Sequence, residues 1–433
     1  MLARRSVPCA RLTGRVTDPR SCRLIARQSD LRGDDPIFAL DAEAARRSAG
    51  GEDVVNSTLG ALLDEDLRLA TLDSVAEAYR RIPVERGAGY APIAGPPAFL
   101  EAVLTDLLGS SPQGPGHELA RSAVAVATPG GTGALALAVS NFLEPGDSLL
   151  TSSYYWSPYA TIAAHAGRGL ATFRMFAESG RFDVEALGQA LQQSAGRQGR
   201  SLLFLNTPCH NPTGYSLDEH DWSALAGVLA SAAARQELTV LMDLAYARYG
   251  AGDSRAWLRH LAPLLGRATL LVAWSASKAF AQYGARVGAC VAFEADARER
   301  ERVRAALGAS CRGTWSNCNH LGMLAITECL SDPELSARAE RERGELCALL
   351  ARRVELFTRL ARAARLAHPR YEGGFFVTVF TPDAECTAAH LRARGVFVVP
   401  VAGALRVAIC STPLRTIPRL VEALAAGVRA AGG

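Results

Sequence analysis

The residue with the clearest chemical potential in this chain is its one lysine. Of the 47 lysine and arginine residues, Lys278 is the only lysine and the other 46 are arginine. Arginine serves for surface charge and ion pairs, but a guanidinium stays protonated and cannot attack a carbonyl. An amine can lose its proton, so Lys278 is the candidate for a Schiff-base nucleophile. Chance survival of one lysine is the alternative, and its surroundings must decide.

The segment around Lys278 is rich in groups that bind anions. Two short apolar runs, residues 270–274 and 287–293, predict buried strands on either side of it. The segment between these runs carries two hydroxyls and a guanidinium, on Ser275, Ser277 and Arg286. Such a set, beside an amine, suits a ligand that has both an aldehyde and a phosphate.

Composition indicates a globular protein with more than one core. The chain has 433 residues, of which 49% are hydrophobic and 21% charged, which favours two domains. Its net charge of +4 is not gathered into a stripe, so nucleic acid is not an expected partner. No apolar run reaches the roughly 18 residues of a membrane span. The ten cysteines show no Cys-x-x-Cys pair and no zinc spacing, which predicts no metal site and a reduced, cytoplasmic protein.

Between residues 122 and 295, short apolar runs alternate with helical patterns. The runs predict seven strands, at residues 123–127, 148–151, 170–174, 201–205, 239–243, 269–274 and 287–293. Strands separated by helix-length segments indicate an α/β fold with a mostly parallel sheet and helices on both faces. Ligands of such sheets bind beyond the carboxyl ends of the strands, so the loops there should hold the chemistry.

These loops carry the remaining candidate residues. Thr128-Pro-Gly-Gly-Thr-Gly133 follows a strand and opens a helix, where glycines and free N–H groups admit an anion, although ordinary turn chemistry is an alternative. Asn211 lies in a loop whose two prolines and glycine fix its side chain. Asp243 ends a buried strand, where a carboxylate needs a cation, and a protonated pyridine nitrogen would serve. Trp156 brings a ring to the same edge, either to stack on a planar ligand or as a core aromatic.

Taken in this order, and with the Ser-x-Ser-Lys and downstream Arg-x-Gly segments, the motifs resemble those of the fold type I pyridoxal phosphate enzymes. The specific likeness is to class I aminotransferases of the aspartate and aromatic amino acid kind, over roughly residues 35–430. This resemblance implies pyridoxal 5′-phosphate as the cofactor. It also implies that the protein transfers an amino group between an L-amino acid and a 2-oxo acid. The amino acid would be aspartate, glutamate or an aromatic amino acid, and the enzyme would be a homodimer.

The resemblance assigns roles to single residues. Lys278 would hold the cofactor through a Schiff base and shuttle the substrate proton, Asp243 would keep the ring nitrogen protonated, and Tyr246 would complete the catalytic set. The other cofactor contacts would be stacking by Trp156, hydrogen bonds to the ring oxygen from Asn211 and Tyr246, and phosphate binding by Gly131, Thr132, Ser275, Arg286 and, from a neighbouring subunit, Tyr90.

The resemblance also suggests how the substrate is held. Arg406 matches the arginine that grips the α-carboxylate as a bidentate pair, and Gly60 matches the glycine at the substrate mouth. A solvated strand arginine is the alternative for Arg406. Arg312 lies in a segment that resembles the one from which the aspartate enzymes send an arginine into the partner's site to bind a distal carboxylate. A structural loop arginine is equally compatible, and Trp315 leaves room for an aromatic substrate instead.

The chain ends predict a second, smaller unit. Helices at residues 35–46 and 332–365, and strands at 53–60, 373–380, 396–399 and 405–409, indicate a smaller α+β domain built from both ends. We expect four segments: 1–34, an N-terminal extension expected to be disordered; 35–88, the N-terminal part of the small domain; 89–325, the large cofactor-binding domain; and 326–433, the C-terminal small domain.

Two other functions compete with transamination. A fold type I lyase or decarboxylase acting on an amino acid would keep the cofactor and change the reaction, because one carbanion can partition several ways. A non-catalytic sensor module would need a DNA-binding domain, and the first 34 residues show no helix-turn-helix pattern.

Overall fold

The structure is a computed structural model that describes residues 36–432. Its strands are, in chain order, β1 (Val55–Asn56), β2 (Ala123–Pro129), β3 (Ser148–Ser152), β4 (Gly169–Phe173), β5 (Arg200–Asn206), β6 (Glu237–Asp243), β7 (Thr269–Ser275), β8 (Val287–Phe293), β9 (Phe376–Phe380), β10 (Val396–Phe397), β11 (Val399–Val401) and β12 (Ala404–Ala408).

The α-helices fall between and around these strands. They are α1 (Pro36–Ala49), α2 (Asp73–Arg81), α3 (Val84–Ala88), α4 (Pro97–Leu108), α5 (Pro115–Ala120), α6 (Gly130–Phe142), α7 (Pro158–His165), α8 (Val184–Gln198), α9 (Glu219–Ala233), α10 (Trp257–Leu261), α11 (Ala276–Ala279), α12 (Ala297–Thr314), α13 (His320–Ser331), α14 (Pro333–Ala363), α15 (Ala384–Arg392) and α16 (Ile417–Ala430). None of the helices within residues 36–432 is long and apolar enough to cross a bilayer.

The main sheet has seven strands in the order β2-β8-β7-β6-β5-β3-β4. Strand β8 is antiparallel to both neighbours, and the other pairs are parallel. All seven strands predicted from the sequence are present, and the predicted α/β fold with a mostly parallel sheet is confirmed. As a consequence, β2, β3, β5, β6 and β7 end at the same edge of the sheet, and β8 begins there.

Helices cover both faces of this sheet because its central strands are apolar on both sides. In β6, Val240 and Met242 pack into one core, while Leu241, which points the other way, packs into a second. All seven residues of β8 are buried. Strands buried on both faces read as continuous apolar runs in the sequence, which is why they were predictable.

A smaller unit joins the two ends of the chain, as predicted. Strands β11, β12 and β9 form an antiparallel sheet. Strand β1, near the start, pairs in parallel with β10, near the end, with Val55 opposite Val396. The 31-residue helix α14 links the two units: Leu335 packs into the core of the main sheet, and Phe357 packs into that of the smaller unit.

Three predicted strands are shorter than expected. The run at residues 396–399 forms β10 only at Val396–Phe397, and Val399 begins β11. The run at residues 53–60 forms a strand only at Val55–Asn56, because β10 has only two residues with which it can pair. The chain then turns towards the edge of the main sheet. The run at 373–380 begins its strand at Phe376, since Gly374 has a φ of 92° that a strand does not allow. The predicted N-terminal extension, residues 1–34, lies outside the described residues.

Candidate active site

One cavity lies at the edge where the parallel strands end. The predicted site residues that line it are Gly60, Gly131, Thr132, Trp156, Asn211, Asp243, Tyr246, Ser275, Lys278, Arg286 and Arg406. Sheet register explains why residues so far apart in sequence meet: Asn206 is paired with Asp243, and Ser275 with Gly288, which places the following loops side by side.

Lys278 projects into this cavity from the short helix α11. Its Nζ donates a hydrogen bond to the carbonyl oxygen of Gly60 at 2.6 Å and lies 4.4 Å from the centre of the Tyr283 ring. Burial lowers the pKa of Lys278 to about 8, and the positive charges of Arg286 and Arg406 act in the same direction. At pH 7 about a tenth of this amine is therefore uncharged, against less than about a thousandth of an ordinary lysine. Only the uncharged form can attack a carbonyl.

The lowered pKa of Lys278 gives a testable pH profile. In cofactor-free protein, the rate at which an aldehyde plus borohydride labels Lys278 should rise from pH ~6.5 and level off above pH ~9, because an amine with a pKa of about 8 is then almost fully deprotonated. The labelled tryptic peptide is quantified by mass spectrometry, which separates Lys278 from the α-amino group. A rate still rising beyond pH 10 would mean an ordinary lysine.

The carboxylate of Asp243 is buried at the end of β6 without a cationic partner. Its Oδ2 accepts a hydrogen bond from the Tyr159 hydroxyl at 2.6 Å, and its Oδ1 accepts one from the backbone N–H of Ala245 at 3.1 Å. Within residues 36–432 it forms no ion pair. Burial raises the pKa of Asp243, and both hydrogen bonds oppose that rise. A positively charged group on a ligand in the cavity would supply the missing counter-charge.

Asn211 and Tyr246 present polar groups next to this carboxylate. The loop that carries Asn211 is held by Asn206, whose side-chain oxygen accepts from the Asn211 backbone N–H at 2.6 Å and whose amide nitrogen donates to the Asp243 carbonyl at 2.9 Å. The Asn211 side-chain oxygen is buried and has no hydrogen-bond partner within residues 36–432. Since buried polar groups are normally satisfied, this amide end is placed for a polar ligand.

The loop from β2 into α6 forms a cradle with Arg286. Gly130 has a φ of 70°, and a Cβ there would lie 2.5 Å from Arg286 Nη2. The next two residues, Gly131 and Thr132, form the first turn of a 13-residue helix, whose free N–H groups and dipole favour an anion. Arg286 donates to the Ser277 hydroxyl at 3.2 Å. This donor set fits a phosphate, and the absence of a side chain at Gly130 lets the guanidinium approach.

Filling this cradle should weaken both anion binding and the fold. Gly130→Ala combines an unfavourable φ with a steric conflict at Arg286, so we expect a loss of about 1–3 kcal/mol in the free energy of unfolding. As a control, Gly227→Ala lies on the exposed face of α9, where a Cβ meets nothing within 4 Å. That change should stabilise the protein by up to about 1 kcal/mol. Urea unfolding of both variants checks the difference, and equal effects would contradict it.

The cavity is also lined by Arg406 and by a set of apolar side chains. Arg406 is buried in β12, donates to the Thr58 carbonyl at 2.6 Å and packs over the Phe376 ring at 4.5 Å. Gly60 leaves room for that ring, because a Cβ would lie 2.6 Å from Phe376 Cζ. We call the apolar side chains of the lining the apolar wall; they include Ile37, Phe38, Leu59, Leu135, Pro158 and Phe376.

Two predicted site residues do not line the cavity of their own chain. Tyr90 is 93% exposed, in the loop between α3 and α4. Arg312 is exposed near the end of α12, where it donates to the Ser316 hydroxyl at 2.7 Å. Both were expected to act in a neighbouring subunit, and their positions in a single chain leave that expectation untested.

Residues in or behind the cavity include some to which the sequence interpretation gave no role. Tyr283 lies five residues after Lys278 and lines the cavity, and its closeness to the lysine was a usable signal. Ser277, which the sequence placed among the anion-binding groups without a further role, also lines it. The Tyr283 hydroxyl accepts from the Leu62 backbone N–H at 3.0 Å and so ties this segment to the N-terminal part of the chain. Tyr159 and Phe376 carried no such signal, because an aromatic residue in an apolar helix or strand is indistinguishable from a core residue.

Known proteins resemble this chain over most of its length. An aromatic-amino-acid aminotransferase of Pseudomonas aeruginosa is 32% identical over 317 residues, which cover 71% of this chain and 76% of that protein. The crystal structure of an aminotransferase from Anaerococcus prevotii superposes with a TM-score of 0.87 at 31% identity, over 94% of this chain and 99% of the other.

A second structure shares the fold and contains a ligand. It is an aromatic-amino-acid aminotransferase from Burkholderia pseudomallei covalently bound to pyridoxal phosphate, with a TM-score of 0.77 at 26% identity, over 92% of this chain and 98% of that one. The sequence pattern of the family described as aminotransferase class I and II matches residues 52–424. The chain therefore belongs to the class I and II aminotransferase family.

Proposed function

We propose that this protein is a pyridoxal-phosphate-dependent aminotransferase that moves the amino group of an aromatic L-amino acid to a 2-oxo acid, with the cofactor bound to Lys278. One observation carries the proposal: a lysine with a lowered pKa faces the same cavity as an unpaired carboxylate, Asp243, and a buried arginine, Arg406. These three groups match the aldehyde carbon, the ring nitrogen and the substrate carboxylate.

The cofactor supplies an electron sink for the carbanion formed at the substrate α-carbon. The chain's residues hold and orient the reactants. Asp243 would accept a hydrogen bond from the ring N–H, Trp156 would cover one ring face, and Asn211 and Tyr246 would hold the ring oxygen. The first turn of α6, Ser275, Ser277 and Arg286 would hold the phosphate. Lys278 would move the proton at the substrate α-carbon, and its pKa of about 8 suits both directions.

The apolar wall of the cavity supports an aromatic donor. Among the described residues that line the cavity, the cations are Lys278, Arg286 and Arg406, and each has a proposed partner other than a distal carboxylate. An aromatic side chain would instead bury apolar surface against Ile37 and Phe38, at about 25 cal/mol per Å². Aspartate or glutamate remains the second candidate, through Arg312 from a partner subunit.

Arg312→Ala separates these two donor classes. If Arg312 binds a distal carboxylate, kcat/KM for aspartate should fall by about 10- to 100-fold while that for phenylalanine stays within twofold, because a charge-assisted hydrogen bond is worth about 1.5–3 kcal/mol. The measurement is steady-state kinetics with both donors. Unchanged kinetics for aspartate would reject the role of Arg312 and leave it as the helix-end arginine that contacts Ser316.

Product analysis tests the reaction itself. With L-tyrosine or L-phenylalanine and 2-oxoglutarate, the protein should form the donor's 2-oxo acid and glutamate in equal amounts, and turnover should stop when the acceptor is omitted. Continued turnover without an acceptor, with release of ammonia or carbon dioxide, would instead identify a lyase or decarboxylase. Asp243→Asn is the matched control, since it removes the charge at the ring nitrogen without changing side-chain size.

We also propose a homodimer in a reducing, cytoplasmic setting. The exposure of Tyr90 supports the first point, because a phosphate ligand on the chain surface has a use only in a neighbouring site. Eight free cysteines among residues 36–432 support the second. The division into segments 35–88, 89–325 and 326–433 is likewise a proposal. The separate cores of the main sheet and of the smaller unit support two units. The boundary at residue 88 has less support, because Val75 and Ala78 of α2 pack into the core of the main sheet.

A further inference from the structure

We infer that Tyr159 is a positioning residue for the ring-nitrogen site: its hydroxyl fixes the Asp243 carboxylate and keeps the negative charge of that group available to a cationic ring. The inference rests on the proposed function, because it concerns the same cofactor site. It adds a residue that the motifs do not contain, since Tyr159 lies in α7 and does not line the cavity.

The geometry leaves the Tyr159 hydroxyl a single evident task. Its ring is fully buried and is held by three aromatic neighbours: Phe204 at 5.1 Å and 84°, Trp156 at 5.9 Å and 89°, and Tyr155 at 6.4 Å and 13°. From this fixed ring the hydroxyl reaches Asp243 Oδ2 at 2.6 Å. A clamped ring fixes the donor's position, and the donor then fixes one oxygen of the carboxylate.

The second oxygen of Asp243 is held from the backbone. The Ala245 N–H binds Oδ1 at 3.1 Å, so the two donors together set the plane of the carboxylate. Neither donor carries a charge. A cationic partner in place of Tyr159 would pair with Asp243 and weaken its attraction for a ring N–H. A neutral hydroxyl stabilises the Asp243 carboxylate and leaves its negative charge without a counter-charge. That charge then remains available to a protonated ring nitrogen in the cavity.

Tyr159 is suited to remain a donor throughout the working pH range. Burial and the nearby Asp243 charge both raise the pKa of its hydroxyl well above the ordinary value. The same ring packs edge-on against Trp156, the residue expected to stack on the cofactor. Tyr159 therefore contacts two residues that are proposed to bind the cofactor: its hydroxyl contacts Asp243 and its ring contacts Trp156.

A pair of ligands tests the inference without measuring turnover. Pyridoxamine 5′-phosphate and its analogue with C–H in place of the ring nitrogen both lack an aldehyde, so neither bonds to Lys278. Their dissociation constants are measured by quenching of tryptophan fluorescence in cofactor-free protein. Tyr159→Phe should weaken binding of pyridoxamine 5′-phosphate about tenfold, in line with a charge-assisted hydrogen bond, and leave the analogue within twofold.

Controls separate a positioning role from packing. Tyr155→Phe, the same change in the ring stacked on Tyr159, should alter neither constant. Tyr159→Gln, whose neutral but shorter amide can donate a hydrogen bond, should recover part of the preference for the ring nitrogen. Equal losses for both ligands in Tyr159→Phe, or no loss for either, would overturn the inference. If Tyr159→Phe does not fold, Tyr159→Gln decides: a preference lower than wild type supports the inference, and an unchanged one overturns it. Failure of wild-type protein to bind either ligand would instead contradict the proposed function.

Discussion

Lys278→Arg abolishes amino transfer, with an expected loss of at least about 10³-fold in kcat. Arginine keeps the positive charge and most of the length of the side chain, but its guanidinium does not deprotonate and cannot bond to an aldehyde. The variant therefore loses both the covalent attachment and the proton transfer at the α-carbon, and proton transfer alone contributes about 10²- to 10⁴-fold. Initial rates with L-phenylalanine and 2-oxoglutarate measure the loss.

The same variant has a second readout that does not depend on turnover. Borohydride reduction in the presence of pyridoxal phosphate should attach the cofactor to the wild-type peptide containing Lys278, and the Lys278→Arg protein should give no such adduct. Because this is the chain's only lysine, the adduct cannot form on another lysine. Activity within tenfold of wild type in Lys278→Arg would contradict the central assignment, even if the protein bound the cofactor.

The strands, and the edge of the sheet at which the candidate site residues lie, could be predicted because their sequence signals are local. Each central strand is a continuous apolar run, and the residue that matters follows within a few positions, as Asn211 follows β5 and Asp243 ends β6. In a parallel sheet the carboxyl ends of the strands share one edge, so knowing the strands was enough to bring these groups together. Register and distance needed the structure.

Contacts between distant segments could not be predicted in the same way. Gly60 accepts from the Lys278 amine across 218 positions, and Arg406 reaches the Thr58 carbonyl across 348. Both depend on the pairing of β1 with β10, two residues long, which leaves hardly any pattern in the sequence. Tyr159 was hidden for another reason: its ring belongs to the core, and only the 2.6 Å contact with Asp243 distinguishes its hydroxyl.

Arg406→Ala should reduce kcat/KM for every α-amino acid donor by about 10²- to 10³-fold. Truncating one member of a buried, hydrogen-bonded charge pair costs about 2–5 kcal/mol, and each 1.4 kcal/mol is tenfold. Arg406 is 5% exposed, and its contacts with the Thr58 carbonyl and the Phe376 ring hold it in place before substrate binds. Arg406→Lys should recover only part of the loss, because a point charge lacks the planar fork that matches a carboxylate.

A substrate without a carboxylate shows whether Arg406 acts through that group. With 2-phenylethylamine as donor, wild type and Arg406→Ala should differ by less than threefold, because the amine has nothing for the guanidinium to bind. Arg302→Ala is the matched control. This arginine is 75% exposed, and within residues 36–432 its ion pair is with Glu299, three residues earlier. Its loss should leave the rates with both donors unchanged. Equal losses with phenylalanine and phenylethylamine would assign Arg406 to the packing of β12 against Phe376, and the carboxylate would need another partner.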